Sequence, residues 1–409
     1  MTRMDVARPH RICFVTSGLF TGGAEVALIG LVSAIDRDLY EPIVISLRSG
    51  GSGVQRLQRL SIELYELGWP PAKPSISGIW QLGRLLHRLK PDLVQGWMYH
   101  GNVAACLARL VRPGAPVTWS IHSTTSDLAS ERATTRAVIR GGALVALAAK
   151  KIVYCSRLGA RQHEALGYPA SRSVVIPNGY DCRQFAPRPA RRVELRGELG
   201  IPGEAMLVGL VARYHPVKDH ATFLRAAAII ARRDSHVHFL LAGKQVDDRN
   251  EELRQLIIEL ALQQRVHLLG ERGDIPDVLA GLDVACLSST AEAFPNAIGE
   301  AMASGIPCVA TDVGDAEWMM GDTGRVVPTK DPGALANAVL GLLTLGAEER
   351  RSLGLAARAR VLERFTAEAT VEAYEELYRS ILGRSEEQAP SRDNAEWRIS
   401  VGDGARRSG

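Results

Sequence analysis

No stretch of the 409-residue sequence reaches the ~18 consecutive apolar residues that a membrane-spanning helix requires. The apolar run Ile12–Val15 ends at once in the polar Thr16-Ser17-Gly18, too soon for the core of a signal peptide. The expectation is therefore a cytoplasmic chain with no spanning segment. Cysteine is sparse and unpatterned: Cys13, Cys106, Cys155, Cys182, Cys286 and Cys308 form no Cys-x-x-Cys pair, and most fall inside apolar runs. That pattern argues against a disulfide framework or a zinc site and for buried, reduced thiols. Aromatic residues are few (5%) and do not interleave with the basic ones, and no nucleic-acid motif is present, so no nucleic-acid partner is expected. There is no Walker loop and no Gly-x-Gly-x-x-Gly. Asp36-Arg37-Asp38 spells an Asp-x-Asp of the kind that holds a sugar transferase's cation, but it falls in a turn between a helix pattern and a strand pattern. No metal ligand and no cofactor is expected.

What is present is an alternation. In the first half, Arg11–Val15, Ile43–Leu47, Ile62–Leu64, Leu93–Trp97, Val117–Ile121, Ile152–Cys155 and Val174–Ile176 are short apolar runs separated by helical patterns. The second half repeats the design with Met206–Val211, Val237–Ala242, Val266–Leu269, Val284–Leu287, Cys308–Ala310 and Arg325–Val327. Strands that alternate with helices imply parallel βαβ units, hence two doubly wound α/β domains. Pro177–Asp181 and the Arg/Pro-rich stretch 187–196 break the rhythm and mark the boundary. The expected domains are 1–184 and 185–365, followed by a helix at 366–383 and a polar, disordered tail at 384–409. The net charge of +4 is unevenly spread. Residues 1–184 hold 22 Lys/Arg against 12 Asp/Glu, so the amino half is the one suited to an anionic membrane or a lipid-linked phosphate. Arg132, Arg136 and Arg140 stand at helical spacing just before the apolar 141–147, readable as a solvated face or as a membrane contact.

Four constellations could carry chemistry. Gly22 and Gly23 follow the first strand and enter a helix, so backbone could come close to a diphosphate, although a tight turn alone would also call for glycine. His122, in Ser120-Ile-His-Ser-Thr124, ends another strand, and a histidine there could donate to a phosphate or a sugar hydroxyl or be merely structural. His100, after Trp97-Met-Tyr, is a weaker candidate of the same kind. Arg213 and Lys218 put two cations in the loop after Gly209–Ala212, where Gly209 also suits the approach of a phosphate, and they fit a diphosphate whose charge grows as it leaves. The richest stretch is 288–312, which reads as strand, loop, helix, strand, with Glu292 in the loop and Glu300 in the helix. Asn296 and Glu300 share a helix face. Carboxylates beside a helix start suit a ligand that has hydroxyls next to phosphates, because acids accept from hydroxyls while free N–H groups take phosphate.

Glu292-Ala-Phe-Pro-Asn-Ala-Ile-Gly-Glu300-Ala-Met-Ala-Ser-Gly-Ile-Pro307, with the motifs before it in the same order, resembles the Glu-x7-Glu signature of the retaining glycosyltransferases of family 4. The resemblance runs to about Leu382. It implies the GT-B fold, two Rossmann-like parallel-sheet domains facing across a cleft, with the last helices crossing back to the first domain. By position it implies that Glu300 holds the ribose hydroxyls and that Glu292 lies near the donor sugar. The backbone around Phe294, Pro295, Asn296 and Ala297 would contact sugar hydroxyls, and Arg213 and Lys218 would hold the diphosphate. Gly22 and Gly23 would close the diphosphate side, His122 would lie near the sugar, and 176–181 would be the interdomain linker. Many members have Phe-Gly where this chain has Phe294-Pro295, and proline removes one backbone donor while starting the helix well.

The resulting expectation is a metal-independent hexosyltransferase that moves a sugar, with retention, from a nucleotide-diphosphate donor (UDP-linked) to a hydroxyl of a lipid-linked glycan in polysaccharide assembly. Two other classes share parts of the pattern. A sugar-nucleotide 2-epimerase would convert a UDP-N-acetylhexosamine without an acceptor, and a donor-binding scaffold would bind without turnover.

Overall fold

The computed structural model describes residues 8–20, 22–70, 76–111, 113–126, 128 and 132–383, and the expected tail at 384–409 lies outside them. The chain divides into two compact units. One runs to Pro177 and resumes at Glu368, and the other is Asn178–Ala367. The first crossing falls before the boundary read from the sequence at 184. Its reason is local: the Tyr180 amide donates to the Phe365 carbonyl (2.9 Å) and the Ala367 amide to Tyr180 (3.0 Å), which stitches the segment after Pro177 to 365–367.

The N-terminal unit holds a seven-stranded sheet: β1 (His10–Thr16), β2 (Tyr40–Ser46), β3 (Glu63–Glu66), β4 (Leu93–Trp97), β5 (Val117–Ile121), β6 (Ile152–Tyr154) and β7 (Ser173–Val175). Their order is β3-β2-β1-β4-β5-β6-β7, and every pair is parallel. A parallel sheet is buried on both faces, which is why its central strands are unbroken apolar runs in the sequence. Side chains alternate between two cores. Cys13 and Val15 pack with the helices Ile76–Leu89, Met98–Val111 and Ala133–Val145 on one face. Ile12 and Phe14 pack with the helices Gly23–Ala34 and Ala367–Leu382 on the other.

The C-terminal unit holds β8 (Met206–Val211), β9 (Val237–Ala242), β10 (Val266–Leu268), β11 (Val284–Leu287), β12 (Cys308–Thr311) and β13 (Gly324–Val327). The order is β10-β9-β8-β11-β12-β13, again all parallel. Chain connections leave β8 and β11 in opposite directions, so their carboxyl ends flank the unit's topological switch point, where sheets of this kind leave a crevice.

The stretch 187–196, expected to break the rhythm at the domain boundary, is mostly helix (Pro189–Glu198), with proline at its start and no need of the missing N–H. Arg192 and Arg196, one turn apart, both reach Asp283, at 2.7 and 3.2 Å. The same carboxylate accepts from the Leu207 amide at 2.8 Å. Asp283 is buried, and it ties the amino ends of β8 and β11 together beneath the crevice. Asp283→Ala would leave Arg196 buried and unpaired, so the expected loss in urea unfolding is about 3–5 kcal/mol.

Candidate functional site

At the carboxyl end of β8, Val211 gives way to Ala212, Arg213 and a single turn, Pro216–Lys218. Asp219 then caps the His220–Arg233 helix, with φ +47° and its carboxylate accepting from the Thr222 amide (3.1 Å) and hydroxyl (2.7 Å). The turn next to the crevice is thereby fixed. Lys218 Nζ lies 2.5 Å from Glu292 Oε1, which also accepts from Ser289 Oγ at 2.7 Å. Arg213 is exposed.

The loop after β11 is held from three sides. Ser288 Oγ donates to the Lys218 carbonyl (2.9 Å), the Thr290 amide to the Val217 carbonyl (2.8 Å), and Thr311 Oγ1 to the Ser289 carbonyl (2.6 Å). Gly314, at φ +57°, lies so close behind the loop that a Cβ would stand 2.4 Å from the Ala293 carbonyl oxygen. Phe294 points away from the loop face into an aromatic group, edge-on to Trp318 (6.1 Å) and Phe365 (5.7 Å). Pro295 then starts the Asn296–Ala303 helix, whose first amides, Asn296 and Ala297, have no acceptor within the helix. The helix thus aims free donors at the crevice while Phe294 anchors the chain beneath it. Asn296 Oδ1 accepts from Asn178 at 2.9 Å, so that side chain is already engaged.

Glu300 follows one helical turn after Asn296, partly open to solvent. Among the described residues no side chain pairs with its carboxylate, and desolvation pushes its pKa up to about 7. A carboxylate kept this way gains most from a ligand hydroxyl that restores the hydrogen bonds lost on burial.

Several glycines act differently from the sequence reading. Gly209, expected to let a phosphate approach, is required by packing, since a Cβ there would stand 2.4 Å from the Leu282 side chain. The glycine that shapes the Arg213 loop is Gly243 after β9, with φ +154° and a virtual Cβ 2.2 Å from the Ala212 carbonyl oxygen. Gly299 faces the Tyr180 ring, and Gly354 of the Ala347–Arg364 helix lies against the Gly305 carbonyl. Gly243, Gly314 and Tyr180 were invisible as site residues because each acts through a contact distant in sequence.

The remaining candidates belong to the N-terminal unit. Gly22 is the extended N-cap of the Gly23–Ala34 helix at φ −169°, so no tight turn demands glycine there, and a Cβ would meet only the Glu25 carboxylate. Gly23 is that helix's first residue. His122 follows β5, stacked on Trp97 (4.6 Å between centroids, 24° between planes), with Nε2 3.0 Å from Ser120 Oγ. Ser120 Oγ is in turn 2.8 Å from the Tyr374 hydroxyl. His100 is not in a strand-end loop, because the Met98–Val111 helix starts directly after β4, with Met98 at φ +60°. Asp36 uses its carboxylate on the Asp38 amide (2.8 Å), closing its own turn.

Comparison with known proteins agrees with this architecture. Residues 21–184 match the family described as Glycosyltransferase Family 4, and residues 205–345 match Glycosyl transferases group 1. The chain is 31% identical over 228 residues to a D-inositol 3-phosphate glycosyltransferase of Saccharomonospora viridis, covering 53% of this chain and 52% of that one. It is 33% identical over 144 residues to the UDP-Gal:alpha-D-GlcNAc-diphosphoundecaprenol alpha-1,3-galactosyltransferase of Escherichia coli, covering 34% and 36%. The matches thus span about half and about a third of these relatives. In fold, the chain is similar to Anabaena HepE, crystallised with UDP and glucose, at a TM-score of 0.80 and 24% identity over 91% of this chain and 100% of that one. The chain belongs to the family 4-type glycosyltransferases of GT-B fold.

The Tyr180 contact yields a test of the helix that carries Glu300. In Gly299→Ala the new methyl would lie 2.0 Å from the Tyr180 ring, and the helix must move. The expected loss is about 1–3 kcal/mol in denaturant unfolding. Combining it with Tyr180→Leu should recover part of that loss.

Proposed function

We propose that the chain transfers a hexose, with retention, from a UDP-linked sugar to a hydroxyl of a lipid-linked glycan, acting in the cytoplasm in polysaccharide assembly. The observation that carries the reading is the grouping at the β8/β11 switch point of Arg213 and Lys218 with Glu292, the free amides of Asn296 and Ala297, and Glu300. Support for UDP comes from its presence in the HepE crystals, and support for a lipid-linked acceptor from the name of the galactosyltransferase. Five of the six cysteines are buried free thiols, in keeping with a reducing compartment.

In this reading Glu300 accepts from the ribose hydroxyls, and Arg213 and Lys218 take the diphosphate. As the bond from sugar to phosphate breaks, charge accumulates on the departing oxygens, and cations fixed beforehand stabilise that state more than the ground state. Lys218 exchanges its bond to Glu292 for the diphosphate, which frees the Glu292 carboxylate for a hydroxyl of the donor sugar. The amides of Asn296 and Ala297 donate to the sugar's other oxygens. His122 is held within the N-terminal unit by Trp97 and Ser120, and its expected place near the sugar remains part of the proposal. The two cations neutralise the leaving group, so the reading includes no metal ion.

The test is release of UDP from a panel of UDP-sugars in the presence of lipid-linked acceptors, with the anomeric configuration of the product read by NMR. Turnover with no donor in the panel, or conversion of a UDP-sugar without acceptor, would overturn the assignment. Lys218→Ala and Arg213→Ala should each lower kcat by about a hundredfold, the scale of removing one preorganised charge partner.

Glu300 gives a pH signature. Its folded pKa of about 7 lies above the ordinary 4.5, so the folded protein keeps a proton that the unfolded chain releases. Stability should therefore fall as pH rises from about 4.5 through about 7 and level off above that. Nucleotide affinity should move the opposite way, rising to a plateau above pH 7, because ribose hydroxyls donate to the ionised form. Both slopes should flatten in Glu300→Gln, followed by thermal unfolding and by UDP titration.

A further inference from the structure

His122 follows β5 directly, and the end of β4 holds both its backbone and its ring. Its amide lies 3.3 Å from the sulfur of Met98, the residue after β4, and its ring is stacked on Trp97, the last residue of β4. The Trp97 indole is fixed in turn, since its N–H donates to the Ala24 carbonyl at 2.8 Å. A ring stacked on a fixed indole keeps its plane. Stacking does not decide which of the two ring nitrogens carries the proton; hydrogen bonds in the plane of the ring do that.

Those bonds run through Ser120 to the last helix of the fold. Ser120 is buried, and its hydroxyl lies 3.0 Å from His122 Nε2 and 2.8 Å from the hydroxyl of Tyr374 on the Ala367–Leu382 helix. A serine hydroxyl has one proton to give. Tyr374 is buried too, and burial pushes its pKa up, so the phenol keeps its proton. Among the described residues, Ser120 Oγ is the one acceptor for it. With Tyr374 donating to Ser120, the Ser120 proton goes to His122 Nε2, which is then the bare nitrogen. The neutral ring therefore carries its proton on Nδ1. In the reverse order, with Nε2–H donating to Ser120 and Ser120 to Tyr374, a buried phenol proton would have no acceptor, which disfavours that order by about tenfold or more. The helix that supplies Tyr374 is tied to the sheet again one turn later. Tyr378 reaches Gln95 Oε1 at 3.4 Å, and the same oxygen accepts from Thr118 Oγ1 at 2.7 Å.

We propose that Ser120 and Tyr374 are positioning residues that hold His122 as its Nδ1–H tautomer, so that the ring meets the donor sugar as a hydrogen-bond donor. The part that concerns the sugar rests on the function proposed above, and the tautomer does not. A sugar hydroxyl that accepts from Nδ1–H keeps its own proton for another acceptor, whereas a bare Nδ1 would take that proton. A phenol 254 residues away in sequence thus sets the polarity of a histidine at a strand end.

The test is heteronuclear NMR of the full chain, isotopically labelled at its histidine ring nitrogens, without nucleotide or acceptor and at a pH where the ring is neutral. The His122 signals are identified by their loss in His122→Gln. The parent should show a protonated Nδ1 and a bare Nε2. Ser120→Ala/Tyr374→Phe replaces both partners by apolar groups, so it should unfold near the parent's midpoint, and the preference for Nδ1–H should be lost. Its kcat/KM for the UDP-sugar should fall about fivefold, in proportion to the loss of the competent tautomer. Made in His122→Gln, the same two substitutions should change kcat/KM by less than about twofold, whereas a merely structural role would carry the loss over. A bare Nδ1 in the parent, or a protonated Nδ1 that persists in the double variant, would overturn the tautomer assignment. Loss of the tautomer with unchanged kcat/KM would overturn the positioning role. A parent that shows the tautomer and turns over no UDP-sugar would overturn the donor proposed above while the tautomer assignment stands.

Discussion

The candidate site depends on one ion pair, Lys218 to Glu292, with Ser289 on the same carboxylate oxygen. Two loops that leave β8 and β11 in opposite directions would otherwise be free to splay, because nothing in the sheet continues past the ends of its strands. The pair closes them over the crevice, and the bonds from the Ser288 hydroxyl and the Thr290 amide to the Lys218 turn repeat the connection with neutral groups. In the proposed reading Lys218 would change partner when the donor arrives, so that its attraction to Glu292 would set part of the cost of binding and be returned as a carboxylate freed for the sugar.

Beneath this surface the burial is arranged so that the reactive groups sit on rigid ground. Asp283 fixes the far ends of the two strands, Phe294 is wedged against Trp318 and Phe365, and Tyr180 bears on Gly299 just before Glu300. None of these residues is offered to a ligand, yet each determines where an offered one stands. The N-terminal unit uses the same means on His122, whose ring is stacked on Trp97 and linked through Ser120 to Tyr374.

Most of the architecture was legible in the sequence because parallel strands are buried on both faces and so appear as short apolar runs. Leu93–Trp97, Val117–Ile121, Met206–Val211, Val237–Ala242 and Val284–Leu287 stand as read, and the others shift by one to a few residues at their ends. The Glu292 to Glu300 stretch was legible because its spacing and composition are distinctive. What could not be read were contacts between residues far apart in the chain. The arginines of 187–196 look like a break at the domain boundary until Asp283 is seen to face them. Gly209 and Gly22 look like phosphate-loop glycines, but Leu282 requires the first, and the extended backbone of the second demands nothing. Gly243 and Gly314, which do shape the loops, carry no local signal of it.

The glycines around the site also limit how this chain can diverge. Gly243, Gly299, Gly314 and the Gly305/Gly354 contact are closed by protein atoms, so a side chain at any of them would push a loop or helix out of place. Mutational routes to a different donor are therefore narrow. In the proposed reading they pass through positions that face the crevice without supporting its walls, Ala297 among them. A lineage that kept this framework could exchange sugars at those positions while leaving its folding untouched.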